Sequence, residues 1–211
     1  MNRSALLARL GIAGALFLAA TVAVLHLVQP ELDPISHFVS EYAHGPLGWL
    51  LMIGYVVAGA GALALAWSLH GQSTGRRALI TAVCMVLVSI GLVATGLTRI
   101  DVAQVDGAME STISGQLHGL AGYVVVLGLI PAAFLVSGAV HRDGGPVSRA
   151  GAMRSLPWAI LAGFVVAVLS QSLDATGLGQ RIFLATWLSW LVLLGVVLSR
   201  GADRLSSLEV A

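Results

Sequence analysis

Six long apolar runs divide the chain, at residues 5–28, 47–69, 78–98, 116–140, 156–173 and 182–199. Each is close to the 20 or so residues that a helix needs to cross ~30 Å of hydrocarbon. Polar breaks separate them, such as Gln29-Pro30, His70-Gly71-Gln72-Ser73, and Arg99 with Asp101. No run alternates with a period of two, and lipid offers no partner for an open sheet edge, so the runs predict helices. The expected fold is all-α: a polytopic membrane protein forming a compact bundle of six transmembrane helices, one domain over residues 1–211. Met1-Asn2-Arg3 ahead of an apolar stretch is also how a signal peptide begins. This stretch is longer than the usual signal core and carries Arg9, so a retained first span is expected.

Small residues mark the faces on which these helices should meet. Gly54, Ala58, Gly59, Ala60 and Gly61 cluster on the second span, and Gly115 and Gly119 stand four apart at the start of the fourth. Such spacing lets helix backbones approach closely. Pro131 should kink the fourth span.

Composition agrees with the pattern. Of 211 residues, 57% are apolar and 10% charged, and mean hydropathy is +0.92. Soluble domains carry roughly 25% charged residues, so a cytosolic enzyme, a nucleic-acid-binding module and a disordered chain are all excluded. The formal net charge of +1 steers nothing. A single cysteine, Cys84, rules out an intrachain disulfide and any thiolate cluster.

The distribution of charge is more informative than its sum. Arg3, Arg9, Arg76, Arg77, Arg142, Arg149, Arg154, Arg200 and Arg204 fall on one side of the expected bundle, and only Arg99 and Arg181 on the other. Cytoplasmic loops collect arginine, so both termini are expected in the cytoplasm, with loops 1-2, 3-4 and 5-6 outward. The acids run the opposite way. Glu31, Asp33, Glu41, Asp101, Asp106, Glu110 and Asp174 are outward, against Asp143, Asp203 and Glu209 inward.

The outward segments 29–46 and 99–115 hold most of the chain's polar chemistry. Asp33-Pro34 resembles an N-cap and first helical residue, and Gly45-Pro46 a stop. A helix between them would place His37, Glu41 and His44 on one face and Ser36 and Ser40 beside it. His37 and His44 would lie ~10 Å apart along such a helix, too far to share one ion, so no metal site is expected. On the fourth span, Glu110, Ser114 and His118 stack a turn apart if the helix begins near Glu110. His118 then lies below the surface among Gly115, Gly119 and Gly122, where an ionisable group normally faces the bundle interior or a wet cavity. His26 is expected to snorkel to the interface. Arg181, at the start of the sixth span, opposes the helix dipole and calls for an acid, with Asp33 and Asp101 the expected partners.

Three stretches together resemble a known family. They are Leu32-Asp33-Pro34-Ile35-Ser36-His37-Phe38-Val39-Ser40-Glu41-Tyr42 with Gly45-Pro46-Leu47-Gly48-Trp49, then Arg99-Ile100-Asp101 leading to Gly115-Gln116-Leu117-His118-Gly119, and Gly177-Leu178-Gly179-Gln180-Arg181-Ile182 with Trp190. In this order they resemble the bacterial membrane family called domain of unknown function 998. The resemblance implies a small six-helix integral membrane protein of the bacterial cell membrane, with no assigned reaction. It also implies that Asp33, Ser36, Ser40, Asp101, His118 and Arg181 are recurrent positions. A fainter likeness, to the ceramidase and progestin-receptor group, rests on Ser40-x-x-x-His44, Asp101 and a later His. That group's zinc site does not carry over, because residues 182–199 contain no His.

Three functions fit these observations. The first is an outward-facing polar pocket built from Asp33, Ser36, Ser40, Asp101, His118 and Arg181, binding a lipid headgroup or a small polar ligand. The second is a membrane-embedded enzyme acting on a lipid or isoprenoid, with Asp101 or Glu41 as acid or base and His118 as its partner. The third, a small transporter, lacks the usual charged residue at mid-span. No cofactor is expected. The expected partners are membrane lipid and either a second copy or another membrane protein, with no nucleic acid.

Overall fold

A computed structural model describes residues 2–72, 75–102, 111–140 and 147–208. Six α-helices carry the fold: α1 (Arg3–Val28), α2 (Gly48–Gln72), α3 (Arg76–Leu97), α4 (Ile113–Val140), α5 (Val147–Leu169) and α6 (Thr176–Leu208). All six are long and apolar enough to cross a membrane. Short 3-10 helices occupy Val39–His44 and Ser170–Leu173. No strand occurs among the described residues.

Helices adjacent in sequence pack side by side from α1 to α4. α6 closes the bundle by packing against both α1 and α5. The core runs along this seam and includes Leu18, Leu25, Leu65, Met85, Leu129, Trp190 and Leu191, all essentially inaccessible. Close backbone approach depends on glycine at Gly59 and Gly61 of α2, as expected, and elsewhere too. It does not do so at Gly119, where a Cβ would meet nothing within 4 Å, while the atoms nearest a Cβ on Gly115 belong to the Asp101 carboxylate. A Cβ on Gly14 would sit 2.8 Å from the Val57 carbonyl oxygen, joining α1 to α2.

α4 and α5 are the exception, since they touch far less than the other sequential pairs. They close at the end of the bundle that carries the termini. There Phe134 and Trp158 meet edge to face at 4.9 Å, and the Ser137 hydroxyl donates to the Met153 carbonyl. Pro157 explains the second contact. Proline has no N–H to give the carbonyl four residues back, so Met153 lacks its intrahelical donor and the α4 hydroxyl supplies one. Toward the other end the two helices part.

Two boundaries differ from the sequence pattern. α5 starts at Val147 and α6 runs from Thr176 to Leu208, because polar residues continue a helix once its apolar centre is anchored. Arg181 therefore lies in the second turn of α6 instead of opening it. The expected helix from Asp33 does not form. Residues 34–37 are turns, and a new 3-10 helix begins at Val39.

Candidate functional site

Arg181 organises the end of the bundle away from the termini. Its Nε donates to His26 Nε2 at 2.8 Å, one terminal nitrogen to the His37 carbonyl at 2.7 Å, and the other to the Tyr42 hydroxyl at 3.1 Å. The guanidinium also lies 5.6 Å from the Tyr42 ring centre, within range of a cation–π contact. His26 in turn gives Nδ1–H to the Val22 carbonyl at 2.6 Å. This fixes the tautomer whose Nε2 accepts. So Arg181 does not pair with Asp33 or Asp101, and the one ion pair among the described residues is Arg9–Asp203 at the opposite end. His26 is not a snorkelling side chain but an acceptor inside this cluster. Buried Gln29 completes the fastening, donating from Nε2 to the Tyr42 and Pro46 carbonyls at 3.0 and 2.7 Å.

Asp33 and Asp101, at this same end of the bundle, are spent on local turns. Asp33 accepts from the Ile35 and Ser36 backbone N–H groups and from the Ser36 hydroxyl, the last at 2.9 Å. Asp33 thus caps the turn at residues 34–36 as an N-cap does, with the His37 N–H donating to the Asp33 carbonyl at 3.0 Å, but the turn is not continued into a helix. Asp101 accepts from the Thr112 hydroxyl at 2.6 Å and its N–H at 3.0 Å, just ahead of α4. The hydroxyl bonds hold both carboxyls below the ordinary value of 3.8. Each turn is therefore fully supported above that value and loses support as pH falls through the depressed one. Glu41 accepts from Phe38 N–H at 2.8 Å, and His44 Nε2 donates to the Ile100 carbonyl at 2.8 Å. His37, Glu41 and His44 thus share no helical face. Among the described residues, no three His, Cys, Asp or Glu side chains are grouped to hold a metal. Glu110 lies outside the described residues.

Where α4 and α5 part, a cavity of about 360 Å³ remains between them, bounded behind by α2, α3 and α6. This is near the low end of the ~300–1,000 Å³ typical of ligand sites. Of the residues singled out in the sequence, Ser40 and His118 line it, while Asp33, Ser36, Glu41, Asp101 and Arg181 do not. His118 donates from Nδ1 to the Thr98 carbonyl at 3.2 Å, which ties α4 to the end of α3. Ser40 is 1% exposed and its hydroxyl has no hydrogen-bond partner.

The polar lining gathers at one end. Ser40, Tyr55, His118 and Gln180 come from the 3-10 helix and the first turns of α2, α4 and α6, all at one end. The apolar Phe38, Ile100 and Phe164 line the same end, while Val126, Leu184 and Trp187 lie deeper in their helices. Tyr123 on α4 and Val168 on α5 line the cavity yet are 66% and 49% exposed, so the mouth opens sideways between these helices. Gly119 and Gly122 keep it wide, since a Cβ on either would meet nothing within 4 Å.

Tyr55 and Gln180 were not singled out in the sequence as pocket residues. The available signal was a tyrosine two turns inside an otherwise apolar span, and a glutamine directly before Arg181. Gln29 read as a helix stop and Tyr42 as part of an apolar face.

Residues 12–197 match the profile of the family described as protein of unknown function, DUF998, and the chain belongs to that family. Comparison with curated proteins and with solved structures gives no match.

Proposed function

We propose that this DUF998 protein is an outward-facing receptor for an amphipathic membrane molecule, holding its polar end among Ser40, Tyr55, His118 and Gln180 and its apolar part against Phe164 and Trp187. The observation that carries this reading is the lateral cavity with hydroxyl, amide and imidazole groups at one end and aromatic and aliphatic walls deeper in. A sideways mouth between two membrane-spanning helices suits a molecule that arrives from within the bilayer. The bias of nine arginines against two supports placing the polar end on the outward side. Membrane lipid is then the partner.

Binding is favoured over catalysis by Asp101 and His118 because neither Asp101 nor Glu41 lines the cavity, and both are held in turns. A transporter reading gains no support, as among the described residues no Asp, Glu, Lys or Arg lines the cavity.

The test is to extract the purified protein with organic solvent and identify co-purifying lipids by mass spectrometry, comparing wild type with Gly122→Leu. The leucine projects into open space and blocks the cavity. One amphiphile should be enriched over bulk membrane lipid in the wild type and at least fivefold depleted in the variant. Identical lipid profiles would remove the basis for a receptor.

A further inference from the structure

The cavity's polar end also restricts what kind of head it can accept. Building on the receptor reading, we infer that the ligand is a single-chain amphiphile with an uncharged, hydroxyl-bearing head, such as a long-chain or prenyl alcohol or a monoacylglycerol, and not a phosphate ester.

Three observations lead there. First, among the described residues no Asp, Glu, Lys or Arg lines the cavity. An ionised head entering such a space would leave water without a counter-charge, which is far costlier than burying a neutral group with its hydrogen bonds made. Second, neither arginine at this end lines the cavity. Each of the three Arg181 nitrogens is engaged, by His26, the His37 carbonyl and the Tyr42 hydroxyl. Arg99, beside the lining residue Ile100, is exposed outside the cavity wall.

Third, the wall offers groups suited to a hydroxyl. The buried Ser40 hydroxyl has no partner. Among the described residues the Tyr55 hydroxyl makes no hydrogen bond, and Gln180 uses only its carbonyl oxygen, accepting from Val39 N–H at 2.5 Å. Hydroxyls donate and accept, and the Gln180 amide nitrogen donates. A ligand hydroxyl can satisfy both kinds of group at once, while a phosphate can only accept from them. The volume sets the chain number. About 360 Å³ is near the low end for ligand sites and suits a head and the start of one chain, with the remainder passing out between α4 and α5.

The experiment places the protein in phosphatidylcholine nanodiscs with hexadecanol carrying a diazirine in its chain, or with the phosphate monoester of the same alcohol at equal mole fraction. After illumination, labelled residues are located by mass spectrometry. The alcohol should label Tyr123, Val126 and Phe164 at least tenfold more than the phosphate ester does. Ser40→Ala should cut that labelling several-fold, while labelling of the lipid-facing Leu16 and Trp67 stays constant. Gly122→Leu provides a second, independent block of the same positions. Equal or stronger labelling by the phosphate ester overturns the uncharged-head inference and leaves the receptor reading standing. If neither probe labels the three cavity positions above Leu16 and Trp67, both fail together.

Discussion

Arg181→Met should destabilise the protein by about 3 kcal/mol. The substitution keeps most of the side-chain stem but leaves His26 Nε2 and the His37 carbonyl without their donor, at about 1–3 kcal/mol for each polar group so stranded. Tyr42 loses less, because its hydroxyl also donates to the Leu32 carbonyl at 3.4 Å. Arg181→Lys should recover only part of the loss, since an ammonium cannot reproduce three directed contacts from one planar group. Cys84, half-buried in α3 and the chain's only thiol, provides the measurement. Its reaction with a fluorogenic maleimide during heating reports unfolding in detergent. At about 2–4 °C per kcal/mol for a chain this size, the methionine variant should melt about 6–12 °C lower. Unchanged melting would mean that segment 29–46 is held to α6 by something other than this cluster.

Glycines along α4 should respond in opposite ways to the same substitution. Gly128 faces α3, where an added Cβ would lie 2.5 Å from the Cys84 carbonyl oxygen. Backbone there cannot move aside without separating the helices. Gly128→Leu should therefore cost at least the ~1–3 kcal/mol usual for overpacking, and more if α3 and α4 separate. Gly91 on α3 makes the reciprocal contact, with its Cβ position 2.8 Å from the Ala121 carbonyl oxygen. Gly122, six residues before Gly128, opens onto the cavity. Gly122→Leu should leave melting within about 2 °C of wild type, because an exposed glycine-to-leucine change in a helix costs nothing in propensity and the added Cβ meets no atom within 4 Å. Equal destabilisation by Gly122→Leu and Gly128→Leu would mean that the gap between α4 and α5 is closed in the membrane.

The helices were legible because each spans enough apolar residues to satisfy its own backbone in lipid, a requirement that any reading of local composition detects. Their polar ends were not. α6 runs past both ends of residues 182–199 with polar residues, and near its start Arg181 finds three partners from α1 and segment 29–46 that are remote in sequence. The same remoteness explains the mistaken pairing of Arg181 with Asp33 or Asp101. Charge suggested an acid, but Asp33 and Asp101 had closer donors in Ser36 and Thr112, three and eleven residues away in the chain. His118 stood out as an ionisable residue below the surface and Ser40 as a recurrent position implied by the family resemblance, and both line the cavity. Tyr55 and Gln180 join them only because α2 and α6 come together at that end, which no single span records. The lateral gap itself depends on Pro157 and Ser137 holding the opposite end closed, a relation visible only once the two helices are side by side.

Occupancy of the cavity can be read directly from Trp187, which lines it at 4% exposure, whereas Trp49, Trp67 and Trp158 are exposed on the outside of the bundle. The measurement is tryptophan fluorescence in nanodiscs titrated with 9,10-dibromostearyl alcohol, for wild type, Trp187→Phe and Gly122→Leu. Wild type should show a saturable quenching component at low mole fraction, superimposed on the gradual quenching of the outward-facing tryptophans. That component should be absent from both variants. Quenching that rises only gradually with mole fraction, and is the same in all three proteins, would contradict a lipid-accessible binding cavity between α4 and α5.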